Sequence, residues 1–246
     1  MSCQYFILSK NKDKKLTDNN DNNYSILLNK DNYILPYNNV SYYMGNGLFE
    51  NSLIEWCKEL GNSDKNMLDI GAHTGTYSIP LSKYFNKIYS FEPQKMTYYA
   101  LCGSVALSNC QNIECINYGL GSLEQTGNCD LNIISDDGGG STLLDISDIS
   151  KSVRKETIKV RTLDSFNIKN IGFIKMDIEG NELNALKGSI NTLVESNNPS
   201  ILFESNDNNK ELFDYICNEL QYTIININGY SNMFLAESIN RRKNSA

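Results

Sequence analysis

The stretch NMLDIGAHTGTYSIP, Asn66 to Pro80, decides the fold that the sequence predicts. The run NMLDI has the length and apolar character of a buried strand. Gly71 and Gly75 then favour a tight turn that approaches a ligand closely, because glycine has no Cβ. The residues that follow predict a helix to about Phe85, which Pro80 should kink or delay because proline lacks a backbone N–H. The stretch therefore predicts a strand, a glycine loop and a helix.

Further strands and helices alternate along the chain in the same way. KIYSFE, IECINYGL, FIKMD and SILFE have strand character, and helices are predicted after KIYSFE, over ELNALKG with Gly188 as its cap, and from about Lys210 to Leu220. Alternating strands and helices predict an α/β fold with a parallel sheet. The segment YTIININGYSNMFLA places Asn228 and Gly229 between two β-rich runs and predicts an antiparallel hairpin at the end of the sheet.

Two domains are predicted. Residues 1–61 form an N-terminal appendage with a charged, flexible arm at 9–23, short strands between Tyr24 and Tyr43 that include VSYY, and one helix before Gly61. Residues 62–246 form the main domain. A segment at about 121–163, with three consecutive glycines at its centre, interrupts the alternation and predicts a β-rich insertion beside the ligand cleft.

The composition limits the expected partners. The 246 residues carry a formal net charge of -7, and 40% of them are hydrophobic. Nucleic-acid affinity depends largely on basic side chains that neutralise phosphates, so the acidic chain is predicted to have no nucleic-acid partner. There is no signal peptide and no apolar run near the roughly 18 residues of a membrane span, so a cytoplasmic protein with reduced cysteines is expected. The oligomeric state stays open.

An acidic residue follows the second strand of the predicted sheet. Glu92, at the end of KIYSFE, lies about as far beyond the glycine loop as the acid that binds ribose hydroxyls in nucleotide-binding folds. The loop sequence GAHTG lacks the G-x-G-x-x-G spacing of dinucleotide sites. The pattern therefore favours a nucleoside ligand over a dinucleotide.

These motifs together resemble the FkbM family of S-adenosylmethionine-dependent methyltransferases. The resemblance runs from about Asn66 to Glu204 and rests on MLDIGAHTGTYSIPLSKYF, IYSFEPQ, VRTLDSF and FIKMDIEGNELNALKGS. It implies the class I methyltransferase fold, a Rossmann-like, seven-stranded, mostly parallel sheet with helices on both faces and a reversed last strand. It also implies S-adenosylmethionine as the cofactor.

The resemblance assigns cofactor contacts to three turns. The glycine loop would frame the amino-acid end of the cofactor, Glu92 would hold the ribose, and the turn from Tyr118 to Leu120 would border the adenine. The implied cofactor-binding residues are Asp69, Gly71, Ala72, His73, Thr74, Gly75, Glu92, Gly119 and Leu120.

The fourth strand carries the candidate catalytic residues. Asp177 ends FIKMD and should project into the cleft near the transferred methyl group, with Glu179 two residues later. Methyl transfer needs mainly alignment of donor and acceptor, and a base where a hydroxyl must lose its proton. The candidate bases are Asp177, Glu179 and His73, whereas Glu182 is expected to stabilise a helix N-terminus.

The favoured function is O-methylation of a small-molecule or glycan hydroxyl. One alternative is a non-catalytic module that binds S-adenosylmethionine or its demethylated product and acts through a partner, and another is a nicotinamide oxidoreductase. A divalent metal is not favoured, but Asp177, Glu204 and Asn206 would supply oxygen ligands for Mg²⁺.

Overall fold

A computed structural model of the chain describes residues 5–9, 15–17, 25–27, 31–36, 40–134, 139–144, 154–205 and 209–239. The strands are β1 (Tyr5–Ser9), β2 (Lys15–Thr17), β3 (Ser25–Leu27), β4 (Asn32–Pro36), β5 (Asn66–Ile70), β6 (Ile88–Phe91), β7 (Ile113–Ile116), β8 (Gly119–Leu120), β9 (Gly127–Ile133), β10 (Arg154–Arg161), β11 (Ile171–Met176), β12 (Ser200–Glu204), β13 (Tyr222–Asn226) and β14 (Met233–Ser238). The helices are α1 (Val40–Asn46), α2 (Asn51–Cys57), α3 (Ser78–Leu81), α4 (Lys95–Leu107), α5 (Glu182–Lys187), α6 (Ile190–Glu195) and α7 (Lys210–Asp214).

The main sheet has seven strands in the order β13-β14-β12-β11-β5-β6-β7. Five of them, from β12 to β7, are parallel, and β14 runs antiparallel to both of its neighbours. The predicted fold class, a mostly parallel α/β sheet with one reversed strand near its end, is confirmed. No helix in the described part of the chain is long and apolar enough to cross a membrane.

Two cores lie on opposite faces of this sheet, because successive side chains of a strand point in opposite directions. On β5, Leu68 and Ile70 belong to the core that α5, α6 and α7 cover. Met67, on the other face, belongs to the core that contains Leu53 of α2 and Ile79 of α3. Strands that are buried on both faces are apolar throughout, which is why the parallel strands could be recognised from the sequence.

The N-terminal region packs against α4. The strand β4 pairs with β1, and the Ile34 N–H donates a hydrogen bond of 2.8 Å to the Ser104 hydroxyl of α4. The predicted strand VSYY is wrong, because these residues open helix α1 and Tyr43 is buried among core residues. Residues 15–17 of the predicted arm pair with β3, and the rest of the arm beyond Ser9 lies outside the described residues. The domain boundary at residue 61 remains a prediction.

The segment predicted as a β-rich insertion contains a separate sheet. Strand β10 pairs with β9 in an antiparallel and with β8 in a parallel arrangement. Leu131 and Ile158 form part of a small core under this sheet, whereas residues 135–138 and 145–153 of the insertion lie outside the described part. The insertion thereby supplies one wall of the cleft described below.

Helix α3 is shorter than predicted. It covers only Ser78–Leu81, with Pro80 as its third residue. The chain then continues as a 3₁₀ turn over Ser82–Tyr84, so the helix predicted to run to about Phe85 begins late and ends early. The predicted C-terminal hairpin is present, and residues 227–232, which include Asn228 and Gly229, connect its strands. Gly229 adopts a φ of +87° in this loop.

The turn after β5 fixes the distance between two neighbouring strands. Gly71 has a φ of +79°, and a Cβ placed on it would lie 1.9 Å from the carbonyl oxygen of Asp177. Asp177 follows β11, and its N–H donates a hydrogen bond of 3.0 Å to the carbonyl of Ile70. Only glycine allows this approach, and it brings the glycine loop against the end of β11.

Gly71→Ala should therefore lower the free energy of unfolding by about 3 kcal/mol or more, because it adds a steric clash to the strain of a positive φ. Gly229→Ala is the matched control, since Gly229 also has a positive φ but no atom within 4 Å of the added Cβ. Its expected loss is about 1–2 kcal/mol. Urea denaturation of both variants measures the difference, and equal losses would contradict the close approach of the two strands.

Candidate active site

A cavity of about 390 Å³ lies at the carboxyl ends of β5, β6 and β11, where ligands bind in open α/β sheets. Gly71 and His73 of the glycine loop line it, together with Glu92 and with Gly119 and Leu120 of β8. Beside the loop, the wall contains Asp177 and Glu179, and the insertion adds Gly139 to Ser141. The cavity therefore lies at all three turns to which the resemblance assigns cofactor contacts.

The glycine loop is held by main-chain hydrogen bonds. The N–H groups of Gly71 and Ala72 both donate to the carbonyl of Phe91, at 3.0 and 2.9 Å. His73 has a φ of +50°, which directs its N–H to the Glu92 Oε2 at 3.0 Å. Ala72 and Thr74 are buried, so their side chains support the loop from behind.

Glu92 is 7% exposed and faces the cavity. Its Oε1 accepts a hydrogen bond of 2.9 Å from the Gln94 N–H, so each carboxylate oxygen has one protein donor and a lone pair that remains for a ligand. Burial raises the pKa of Glu92 to about 8, although these two hydrogen bonds oppose the shift. The Asn117 amide donates to the carbonyls of Glu92 and Pro93 and fixes the turn after β6.

A buried lysine connects the glycine loop with β11. Lys175 is 3% exposed, and its Nζ donates a hydrogen bond of 3.1 Å to the Gly71 carbonyl. The same Nζ lies 3.4 Å from Asp177 Oδ2 and 4.0 Å from Asp69 Oδ1. Burial alone would lower the pKa of Lys175, but the two carboxylates outweigh it and raise the pKa, so the ammonium stays charged.

Asp69 lies behind the loop rather than in the cavity wall. It is fully buried, its Oδ2 accepts a hydrogen bond from the Ser78 hydroxyl, and its Oδ1 has no hydrogen-bond partner in the described part of the chain. Burial raises its pKa, and Lys175 opposes this effect. The Asp69 carboxylate therefore compensates part of the positive charge of Lys175 beneath the glycine loop.

Three carboxylates lie close together at the carboxyl ends of β11 and β12. One oxygen each of Asp177, Glu179 and Glu204 lies within 4.8 Å of the others, and all three residues are half-buried. Burial, and then the neighbouring Asp177 carboxylate that is hydrogen-bonded to it, raise the pKa of Glu204 to about 8. Burial, and then Asp177, also raise the pKa of Glu179. Such a group accepts a proton readily or provides oxygen ligands for a divalent cation.

The carboxylate Glu179 also anchors the insertion. The Glu179 Oε1 accepts a hydrogen bond of 3.1 Å from the Gly140 N–H. The main-chain carbonyl of Glu179 accepts one of 2.6 Å from the Thr142 hydroxyl. Glu182 instead caps its own helix, because its Oε1 accepts from the N–H groups of Ile178 and Gly180.

Helix α1 and the turn before α2 contribute another wall of the cavity. Tyr43 and Phe49 line it with their rings 5.1 Å apart. Glu50 also lines the cavity and accepts a hydrogen bond of 2.7 Å from the Tyr77 hydroxyl. The Tyr77 ring in turn lies 5.0 Å from the Lys175 Nζ, so the N-terminal region contacts the buried charge network.

The structure brings most of the predicted site residues to one cavity. Asp69, Ala72, Thr74 and Gly75 support the loop without lining the cavity, and Glu204 adjoins it through Asp177. The cofactor and catalytic roles of all these residues remain predictions. Of the three residues predicted as alternative metal ligands, Asn206 lies outside the described residues. Glu179 instead lies close enough to Asp177 and Glu204 to provide a third oxygen ligand.

Several residues of the site were not predicted from the sequence, among them Lys175, Glu50, Tyr77 and Gln94. A signal existed for Lys175, because a lysine inside the apolar strand FIKMD must be buried with a partner. Glu50 and Tyr77 meet only through the tertiary fold.

The chemistry of the cavity fits S-adenosylmethionine. The loop offers main chain without side chains at Gly71, and Glu92 keeps lone pairs for ribose hydroxyls. Two buried wall atoms, Gln94 Oε1 and Ser141 Oγ, have no hydrogen-bond partner in the described ranges, as expected where a polar ligand binds.

The reversed strand in a seven-stranded sheet and this nucleoside site define an S-adenosylmethionine-dependent methyltransferase of class I. Residues 69–231 match the model of the methyltransferase FkbM domain, and the chain belongs to this FkbM family. The resemblance seen in the sequence is thereby confirmed. Residues 3–128 also match the model of the tRNA (uracil-5-)-methyltransferases.

Two known proteins are similar to this chain. A tRNA/tmRNA (uracil-C(5))-methyltransferase of Campylobacter lari is 29% identical over 172 residues, which are 67% of this chain and 42% of the relative. The chain thus spans less than half the length of that relative. The structure of a methyltransferase FkbM from Methylobacillus flagellatus KT matches with a TM-score of 0.50 and 20% identity, over 71% of this chain and 44% of the other, and supports the fold.

The prediction that nucleic acid is excluded as a partner is wrong. The family model of the tRNA methyltransferases and the Campylobacter relative both make an RNA substrate plausible. The net charge of -7 is an average over the chain, whereas substrate binding depends on the charges of one surface. Net charge therefore gives no ground for excluding RNA here.

Lys175→Met should lower the free energy of unfolding by about 3–5 kcal/mol, because it leaves buried carboxylates without their cation. The loss should be smaller at pH 5 than at pH 8, since protonation of Asp69, whose pKa is raised by burial, removes the uncompensated charge. Lys187→Met is the control, because Lys187 is exposed and its ion pair with Glu211 is worth at most about 1 kcal/mol. Urea denaturation at both pH values tests this, and a loss no greater than that of the control would contradict the role of Lys175.

Proposed function

We propose that the protein transfers the methyl group of S-adenosylmethionine to a hydroxyl oxygen. The observation that carries this proposal is the convergence of Asp177, Glu179 and Glu204 at the cavity that adjoins the glycine loop. A hydroxyl becomes a good nucleophile when a base removes its proton, and carboxylates are suitable bases. Burial, and then the neighbouring Asp177, raise the pKa of Glu179 and of Glu204 in this group.

The step needs a base and an aligned acceptor. The acceptor oxygen attacks the methyl carbon, the carbon–sulfur bond breaks, and its electron pair stays on sulfur to give the neutral thioether. The acceptor proton passes to the Asp177 carboxylate, whose hydrogen-bonded neighbour Glu204 shares the proton. Glu179 and His73 line the same cavity and orient the acceptor.

The acceptor side of the cavity favours a neutral ring that carries a hydroxyl, as in a glycan or a small phenol. Tyr43 and Phe49 line this part of the cavity, and aromatic rings pack well against sugar or aromatic C–H groups. Glu50, Asp177 and Glu179 add negative charge to the same walls, which disfavours an acceptor with a phosphate or carboxylate at this point.

A second candidate function is methylation of uracil C5 in RNA, which the tRNA methyltransferase match favours. C5 of uracil becomes nucleophilic only after a group such as a thiolate adds to C6. In the described ranges, six cysteines are present and none of them lines the cavity. The match also ends at residue 128, before the three carboxylates. The carboxylate site therefore supports the hydroxyl acceptor more strongly.

The cofactor role of Glu92 is tested by calorimetric titration with S-adenosylhomocysteine. Glu92→Ala should weaken binding about tenfold or more, equivalent to about 1.4 kcal/mol, because the ribose hydroxyls lose their acceptor. Glu195→Ala is the control, since Glu195 is exposed at the end of α6. Equal affinity of the Glu92 variant and the wild type would contradict the ribose contact.

The acceptor chemistry is tested by methyl transfer to sugars, phenols, glycans and unmodified tRNA. Asp177→Asn and Glu204→Gln should each lower kcat at least about a hundredfold without loss of cofactor binding, because the base is lost. In the wild type, kcat/KM should rise with pH to a plateau above about pH 8, because Asp177 shares a proton with Glu204, whose pKa is about 8, and the pair must lose this proton before Asp177 can act as the base. Glu195→Gln is the control and should keep wild-type activity.

Two outcomes would overturn the proposal. Transfer to uracil C5, or a rate that the carboxylate variants leave unchanged, would exclude hydroxyl methylation at this site. Cofactor binding without turnover on any acceptor class would favour the non-catalytic module instead.

A further inference from the structure

The side chain of Gln94 has an unexplained polar atom in the cavity wall. Gln94 is 2% exposed, precedes α4 and lines the cavity two residues after Glu92. Its Oε1 is buried and has no hydrogen-bond partner in the described part of the chain. The main-chain N–H of Gln94 is used, since it donates to Glu92 Oε1.

A buried amide oxygen without a donor costs free energy of folding. Buried polar atoms are nearly always satisfied, so an exception that faces a cavity points to a ligand that supplies the missing donor. The required ligand group is an N–H or O–H that enters the cavity beside Glu92.

The residues around Gln94 indicate which part of the cofactor supplies this N–H or O–H donor. The Glu92 carboxylate is bonded to the His73 N–H, so it faces the glycine loop. The next residue, Pro93, instead faces Gly119, where an added Cβ would lie 3.6 Å from the proline ring and 3.2 Å from Ile158. Gly119 is therefore closely packed against Pro93 and Ile158, and these three residues form an apolar part of the cavity wall.

A cavity wall that is apolar and carries one buried amide suits a nucleobase, which has apolar faces and polar edge groups. Leu120 and Leu131 also line the cavity and add to the apolar surface. The Asn117 amide holds the carbonyls of Glu92 and Pro93, so the turn that carries Gln94 is fixed before the ligand binds.

We propose that Gln94 recognises the adenine of the cofactor, and that its Oε1 accepts a hydrogen bond from the exocyclic amino group of adenine. This contact discriminates adenine from purines without that amino group. The inference concerns the cofactor alone and does not depend on the acceptor.

The test is a cycle of two proteins and two ligands, measured by titration calorimetry. The ligands are S-adenosylhomocysteine and its analogue with hydrogen in place of the 6-amino group, and the proteins are the wild type and Gln94→Met, which keeps the shape but removes the acceptor. The wild type should bind the analogue about tenfold more weakly than S-adenosylhomocysteine. The variant should bind both ligands with equal affinity, close to that of the wild type for the analogue.

Thermal unfolding without ligand separates this role from a structural one. Gln94→Met should unfold at the same or a higher temperature than the wild type, because it removes an unsatisfied oxygen. Gln111→Met is the matched control, since Gln111 is exposed, and it should bind both ligands like the wild type.

Three results would overturn the proposal: a variant that still discriminates between the ligands, a wild type that does not, or a variant that unfolds several degrees lower. The first two exclude the amino-group contact, and the third assigns Gln94 to the stability of the fold.

Discussion

The buried ammonium of Lys175 is the interaction on which the site depends. Lys175 and Asp69 are register partners on the adjacent parallel strands β11 and β5, so the two side chains lie side by side. The Lys175 ammonium donates hydrogen bonds to the Gly71 carbonyl and to the Asp177 carboxylate. These hydrogen bonds join the loop after β5 to the end of β11. A lysine in a core is costly unless it is paired, and here the pairing orients the groups that face the cavity.

This arrangement makes the cofactor side and the acceptor side one structural unit. The contact of Gly71 with the Asp177 carbonyl sets the distance between them, and the bonds from Gly140 and Thr142 to Glu179 attach the insertion. Burial, and then the neighbouring Asp177 carboxylate, raise the pKa values of Glu179 and Glu204, which disfavours their ionised state. The apolar cores on both faces supply the stability that such a charged edge lacks.

Local patterns predicted the parts of the fold that local physics determines. The strand around Leu68, the turn at Gly71 and the acid Glu92 were found because burial on both faces and a tight turn leave clear marks in the sequence. The segment VSYY failed, since β-branched and aromatic residues also suit a helix when tertiary contacts bury one of its faces. The bond between Glu50 and Tyr77 joins residues far apart in the chain, and no periodicity predicts such a pair.

The two family matches share one part of the site, and each also covers a part that the other lacks. They overlap at residues 69–128, which contain the glycine loop, Glu92 and the turn before Gly119, and these are the parts that any S-adenosylmethionine site needs. The carboxylates Asp177 and Glu204 lie only in the FkbM match, whereas Tyr43 and Phe49 lie only in the other. In the proposed function these carboxylates provide the base, so the FkbM part bears on the proposed reaction type. Tyr43 and Phe49 line the cavity, so the N-terminal part bears on which molecule enters, and likeness to either family alone leaves one of these two questions open.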